Sequence, residues 1–469
     1  MFSLFQRNNS PVDKKNQRLL GSMENAYMKS SQKYQGLTRL CEVLHLQGPY
    51  ISLETLSKAA GKLQQRHPTL RSRLQRNAQT AHSYYLEEDN TLQLKIIEIP
   101  RKRSDHQTFW KQEWRKREKS TTAIGDGLAE FWLLQDPEDQ NDDNSPREIV
   151  FICEHSMCDA LSLSNAAHEL LIALTGEDDN LFAKSLDYPI TMETAIQGSL
   201  SFVNRVLSVS KLVIQTLYTF VINRSPVAKI PLAKVDFLLT EMADHGHSEA
   251  SYGILNKEET QKLVNKCRQE GVTVTSAVFS AVIYAISTLV NHEQAETSIL
   301  RFGIVADPRR RYIPPIPNHD LCGHISSIMF FTIPMRDIPT TCAEMWQLAR
   351  RFGAHTIKCI DANQVLTFGI ITGKMYSKSL DSPNLPDIAT CTMSSWGILP
   401  FREQYGSWKF EGMTPILNMI QGNMPFITFQ TVNGILTIMF GGTDPVIPLN
   451  VLEQFSDCTI KKLHEMTED

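Results

Sequence analysis

The 469-residue chain has no run of basic residues long enough to neutralise a row of phosphates. Its 47 Lys and Arg stand against 51 Asp and Glu, for a formal net charge of −4 and a pI near 6.4. Neutralising a row of phosphates takes a sustained cationic stripe, so a nucleic-acid partner is excluded. The chain also lacks a wholly apolar stretch of the ~20 residues that a bilayer core demands. In Val206–Asn223 the Leu, Val, Ile, Tyr and Phe are interrupted by Lys211, Gln215 and several Ser and Thr. That pattern predicts a buried or interfacial helix, with room for a peripheral membrane contact, and not a span. Within Met1–Lys15, charge and Pro11 arrive too early for the apolar core of a signal peptide, and cytoplasmic residence is the expectation. Paired cysteine spacing is missing as well. The nine cysteines are odd in number and scattered, and Cys153 and Cys391 lie inside apolar runs, where a free thiol behaves as a small hydrophobe. No short-period repeat or low-complexity tract is present. Phe368–Lys374 lacks the four-residue spacer of a phosphate-binding loop.

What is present is ordinary globular material, 42% apolar and 21% charged. The length exceeds what one hydrophobic core supports, so two domains of roughly 150 to 250 residues are expected. Apolar spacing predicts a helix over Leu53–Gln65 that His67-Pro68 ends. Thr91–Pro100 and Ala129–Leu134 read as strands, and Asp136–Pro146 as a polar turn closing a hairpin. Trp110–Lys119 mixes Lys111, Arg115, Lys116, Arg117 and Lys119 with Glu113 and Glu118, the pattern of a solvated helix face. Ile149–Cys153 is a short apolar run that fits a strand buried on both faces, and Ala160–Leu174 has helical periodicity. Further helices are expected at Asn256–Gln269 and Val272–Leu289. Strands are expected at Arg301–Ala306, Ile325–Ile333, Thr390–Ser395, Ile427–Val432 and Ile435–Phe440. Asn433-Gly434 between the last two marks a type I′ hairpin. His245-Gly246-His247 reads as a flexible turn. The class is α/β (α+β), divided as 1–185, a bridge at 186–235 carrying the apolar helix, and 236–469.

The junction Glu154-His155-Ser156-Met157-Cys158-Asp159-Ala160 lies between the buried strand and the helix after it. A histidine there is held rigidly while its ring faces a cleft, as a general base must be. By itself His-x-x-x-Asp arises by chance in many chains. Cys153, His155 and Cys158 form C-x-H-x-x-C, which matches no zinc pattern and has no second ligand cluster, so no metal site is expected. Four other segments accompany the motif: Arg18-Leu19-Leu20-Gly21-Ser22-Met23-Glu24, His67-Pro68-Thr69-Leu70-Arg71, Asp307-Pro308-Arg309-Arg310-Arg311 and Ser394-Ser395-Trp396-Gly397. In this order, over nearly the whole chain, the five resemble the landmarks of the HHxxxDG acyltransferases of the chloramphenicol-acetyltransferase-like superfamily, which includes condensation domains, polyketide-associated acyltransferases and alcohol acetyltransferases.

The resemblance implies two chloramphenicol-acetyltransferase-like halves in a V with one active site in a tunnel between them. It implies His155 as general base for acyl transfer from an acyl-CoA or acyl carrier protein to an alcohol or amine. No bound cofactor is expected, the acceptor is a small or lipid-like molecule, and the chain is expected to be a monomer. Ser394, Ser395, Trp396 and Gly397 are candidates for the oxyanion or the tunnel wall. Asp159 is implied to be architectural and paired with an arginine, here Arg309; the alternative is a simple cap on the helix starting at Ala160. Two positions depart from the family pattern, Glu154 for the first histidine and Ala160 for the glycine. Family members with a single His-x-x-x-Asp exist. The Glu154 carboxylate either lies close enough to favour the imidazolium of His155 or points to the opposite side, as successive strand residues do. The alternative to an enzyme is a catalytically silent module that binds a carrier protein or another partner.

Overall fold

A computed structural model describes residues 16–77, 83–177, 179–217, 225–290, 297–324, 327–381 and 389–468. The N-terminal arm, the end of the Val206–Asn223 segment and the start of the Ile325–Ile333 strand lie outside the described residues.

The first half runs β1 (Gln17–Leu19), α1 (Ser22–Lys33), β2 (Leu40–Gly48), α2 (Leu53–Arg66), β3 (Ser72–Arg76), β4 (Tyr84–Glu88) and β5 (Lys95–Pro100). It continues through α3 (Phe109–Arg117), β6 (Ala129–Gln135), β7 (Ser145–Cys153), α4 (Ala160–Thr175) and α5 (Asp179–Phe182). β7 is buried on both faces because its alternate residues feed two cores. Ile149, Phe151 and Cys153 pack with α2 and α4, through residues such as Leu56 and Leu170. Val150 and Ile152 pack against Trp110 and Trp114 of α3. Each such burial contributes about 1.5–3 kcal/mol. α3 is amphipathic: Lys111, Arg115, Lys116 and Arg117 form the expected solvated face, while Trp110 and Trp114 on the other side are core. The expected hairpin is β6 with β7, closed by 136–144. β5, shorter than the expected strand, pairs with β6 in parallel.

α6 (Met192–Ser199) and α7 (Phe202–Leu217) lead to the second half. α7 buries Val209 and Leu212 and leaves Phe202, Val203, Leu207 and Ile214 exposed, so it is a surface helix with one apolar face turned outward. Among the described residues no single helix is long and apolar enough to cross a membrane. Next come α8 (Met242–His245), β8 (His247–Leu255), α9 (Lys257–Glu270), α10 (Val274–Leu289), β9 (Ile299–Ala306), β10 (Ser327–Pro334), α11 (Cys342–Asp361) and α12 (Gln364–Ser379). The chain ends with β11 (Cys391–Ile398), β12 (Gln404–Tyr405), β13 (Trp408–Leu417), β14 (Phe426–Val432), β15 (Ile435–Asp444) and α13 (Leu449–Glu468). The β14–β15 hairpin turns on Asn433 and Gly434, both at positive φ, as a type I′ turn requires. Residues 245–247 are not a flexible turn. Gly246 is buried where a side chain would strike the Met242 carbonyl, and His247 Nδ1 lies 2.9 Å from Glu118 Oε1.

Two six-stranded sheets result, ordered β12-β13-β2-β7-β6-β5 and β10-β9-β11-β14-β15-β8, with a small third sheet β1-β4-β3. Residues 404–417, placed with the C-terminal unit by sequence, belong instead to the first sheet. β13 pairs antiparallel with β2, and its Phe410 and Met413 enter the core that holds Leu44 and Leu46. The first lobe thus borrows its edge from the second half of the chain.

Candidate active site

β7 stops at Cys153 and α4 starts at Ala160, so Glu154–Asp159 form a tight link anchored at both ends. Asp159 is the N-cap: its Oδ1 accepts from the Ser162 amide at 2.9 Å, and the Ser162 hydroxyl lies 3.0 Å from the Asp159 amide. His155 is 9% exposed, with its ring stacked on Tyr27 of α1 at 4.0 Å between centroids and 5° between planes. Tyr376 of α12 packs edge-on against Tyr27 and is held by Ser30 at 2.9 Å. His155 Nδ1 lies 2.8 Å from the Cys158 carbonyl oxygen. A carbonyl only accepts, so Nδ1 carries the hydrogen and Nε2 keeps its lone pair. Nε2 has no partner among the described residues. Burial pushes the imidazole below its usual pKa, against the Cys158 carbonyl and Asp159, which pull it up. The ring is neutral at pH 7, which a proton acceptor requires.

Asp159 is both cap and ion-pair partner, so the two readings of this residue hold together. Its Oδ2 accepts from Arg309 Nη2 at 2.6 Å and from the His324 amide at 3.0 Å, and both side chains of the pair are fully buried. Arg309 also donates to the Cys322 carbonyl at 3.1 Å and to Asp307 at 3.2 Å. Burial alone would raise the Asp159 carboxyl; Arg309 and the Ser162 amide hold it below its ordinary range. Cys322 leads on to the N-terminal motif. Its thiol lies 2.8 Å from Glu24, which Arg18 grips with two bonds of 3.0 and 2.7 Å. Glu24 also accepts the Gly21 amide at the start of α1. Gly323 sits where a Cβ would come 3.3 Å from the His155 carbonyl. Three of the five sequence landmarks, at 18–24, 154–159 and 307–311, therefore converge on one buried network across the two lobes. His67 serves elsewhere, closing α2 and bonding Glu169 of α4 at 2.6 Å.

Glu154 turns away from the histidine. Its carboxylate takes the Thr122 hydroxyl at 2.9 Å and lies 3.5 Å from Arg39. Ser394–Gly397 lie on β11, where a bulge between Ser395 and Gly397 drops Trp396 out of register with β14. The Ser395 hydroxyl meets Thr275 of α10 at 3.2 Å, and Trp396 packs against the core of the first lobe. No hydrogen bond or ring contact joins these four residues to His155 among the described residues. Cys153 and Cys158 belong to that same core, and Phe368–Lys374 runs within α12, where Gly373 lets the helix touch the backbone at Ser22–Met23. Tyr27 and Tyr376 were invisible to sequence reasoning: nothing local distinguishes a tyrosine that stacks on a distant histidine.

Residues 119–381, more than half of the chain, match the family model for alcohol acetyltransferase. The chain belongs to the alcohol acetyltransferase family. At that level it is an acyltransferase, and its solved neighbours share its fold of two chloramphenicol-acetyltransferase-like lobes. Trichothecene 15-O-acetyltransferase from Fusarium sporotrichioides superposes with a TM-score of 0.73 at 12% identity, over 96% of this chain and 95% of that one. The first condensation domain of the calcium-dependent antibiotic synthetase gives 0.69 at 14% identity, over 97% of each. Polyketide synthase associated protein 5 from Mycobacterium tuberculosis gives 0.67 at 14%, over 96% and 98%. No curated protein matches this family member by sequence.

Proposed function

We propose that the protein transfers an acyl group from a thioester, carried by coenzyme A or an acyl carrier protein, to an alcohol or amine, with His155 as general base. Nε2 takes the proton of the acceptor hydroxyl or amine as its oxygen or nitrogen attacks the thioester carbonyl. The C–S bond breaks as the tetrahedral intermediate collapses, and the proton returns to the leaving thiolate. No acyl-enzyme forms. The observation that carries this reading is the pairing of His155 Nδ1 with the Cys158 carbonyl, which fixes the tautomer that presents a basic Nε2. General-base assistance contributes about 10² to 10⁴ in rate, and positioning and oxyanion stabilisation supply the rest. The bulge at Ser395–Gly397 is the proposed source of oxyanion donors, because a bulge frees backbone groups from the ladder. The outward apolar face of α7 suits a lipid-like acceptor delivered from a membrane surface.

The test is thiol release from a panel of acyl-coenzyme A donors with candidate alcohols and amines, run beside His155→Ala. Release that depends on His155 is expected. Release no greater than the variant's under every pairing would instead make the protein a binding module.

A further inference from the structure

Away from the His155 network, a second group of titratable side chains is gathered on the first sheet. His45 of β2 and Glu148 of β7 are cross-strand partners. His106, from the loop between β5 and α3, brings its ring edge-on to that of His45 at 5.9 Å between centroids. Their donor atoms all fall within 4.8 Å of one another. His45 Nδ1 is 3.2 Å from Glu148 Oε1, and His106 Nδ1 is 3.5 Å from the same oxygen. Zinc–nitrogen and zinc–oxygen bonds of about 2.0–2.2 Å place the corners of a tetrahedron about 3.3–3.6 Å apart, close to these separations.

We propose that His45 Nδ1, His106 Nδ1 and Glu148 Oε1 form a binding site for a divalent transition-metal ion of the zinc class. Two imidazoles and one carboxylate are the donor set such ions favour over calcium or magnesium. His45 Nδ1 is buried, and among the described residues its one charged neighbour is Glu148 Oε1 at 3.2 Å.

The surroundings supply what metal-binding histidines need on their other nitrogen. His45 Nε2 lies 2.9 Å from the Thr414 hydroxyl, which fixes Nε2 as the protonated nitrogen when Nδ1 holds an ion. His106 Nε2, likewise buried without a hydrogen bond, faces Glu411 at 3.8 Å. Thr414 and Glu411 both belong to β13, the strand that crosses from the second half of the chain, so the ion would help fasten that crossing. Arg101 Nε donates to the other oxygen, Glu148 Oε2, at 2.8 Å and leaves Oε1 to the ion and to the Gln107 amide at 3.0 Å. The contact of Arg101 Nη2 with His106 Nδ1, 3.5 Å long, is the one an ion displaces.

The test is calorimetric titration of chelator-treated full-length protein with zinc sulfate, followed by cobalt substitution to read the ligand-field spectrum. One equivalent, saturable, with a tetrahedral cobalt spectrum and a raised melting temperature, is expected. His106→Ala, at a half-buried loop position that the core does not need, should abolish that equivalent while the far-ultraviolet dichroism stays unchanged. Thr414→Val should weaken it about 10- to 100-fold. Absence of a saturable equivalent in the native protein, or the same affinity in His106→Ala, overturns the proposal.

Discussion

At the scale of single residues, the proposed chemistry depends on one ring held between a carbonyl and a tyrosine. Because burial depresses the His155 imidazole, kcat/KM should fall on the acid side with an apparent pKa below the ordinary histidine value of about 6.5. A pH–rate profile with its acid limb at or above that value would contradict the assignment. His155→Ala should reduce turnover by about 10²- to 10⁴-fold. Its melting temperature should fall less than that of an Asp159 or Arg309 variant, because the lost stack and the lost bond to the Cys158 carbonyl strand no buried charge. Tyr27 acts through His155 and is a positioning residue. Tyr27→Phe keeps the stack and should be close to wild type. Tyr27→Ala loses a ring–ring contact worth about 0.5–1.5 kcal/mol, and kcat should drop about 2- to 13-fold with KM little changed. Rescue by phenylalanine separates stacking from any role of the phenol oxygen.

At the scale of elements, β2 carries a carboxylic acid where α4 covers it. Glu42 is buried and bonds Ser164 at 2.6 Å through one oxygen, while the other has no partner. Burial raises its pKa from the ordinary carboxyl value to about 8, against the Ser164 hydroxyl. The folded protein therefore holds a proton that the unfolded chain releases near pH 4.5. Stability from this group is fully present below that pH and is lost as pH rises toward 8, with a slope of at most about 1.4 kcal/mol per pH unit. Denaturant melts of the parent and Glu42→Gln at pH 5, 6, 7 and 8 should show the variant gaining steadily on the parent; parallel curves would mean that Glu42 does not change charge over this range. The same scale shows where the sequence was readable. Helices and strands with strong periodicity, such as α2, β7, α4 and the Asn433-Gly434 hairpin, lie where local spacing puts them. β13 does not betray its partner, because its pairing with β2 depends on residues hundreds of positions away. α3 shows its solvated Lys and Arg face in the sequence but not the sheet that Trp110 and Trp114 pack against, because Val150 and Ile152 lie on a strand far along the chain.

At the scale of the whole molecule, the two lobes meet at Asp159 and Arg309, and that junction is where motifs read from sequence become one structure. His-x-x-x-Asp and Asp-x-Arg were legible as separate landmarks; their meeting rests on a family likeness and not on spacing. Helix capping and ion pairing both act through Asp159, so a single substitution to alanine confounds them. Asparagine caps a helix about as well as aspartate but carries no charge. Asp159→Asn should therefore spare the cap at Ser162 and leave the buried Arg309 with only its 3.2 Å contact to the partly exposed Asp307, at a cost of up to the about 3 to 5 kcal/mol of a broken buried pair. Arg309→Met should cost a comparable amount by stranding Asp159, although the amides of Ser162 and His324 still stabilise the carboxylate. Combining the two removes both charges together. The double variant should then be more stable than the sum of the single losses predicts, by about 0.5 to 3 kcal/mol of coupling in a denaturant-melt cycle. Losses that simply add would show that the 2.6 Å contact is not what joins the lobes and would leave Asp159 as a cap alone.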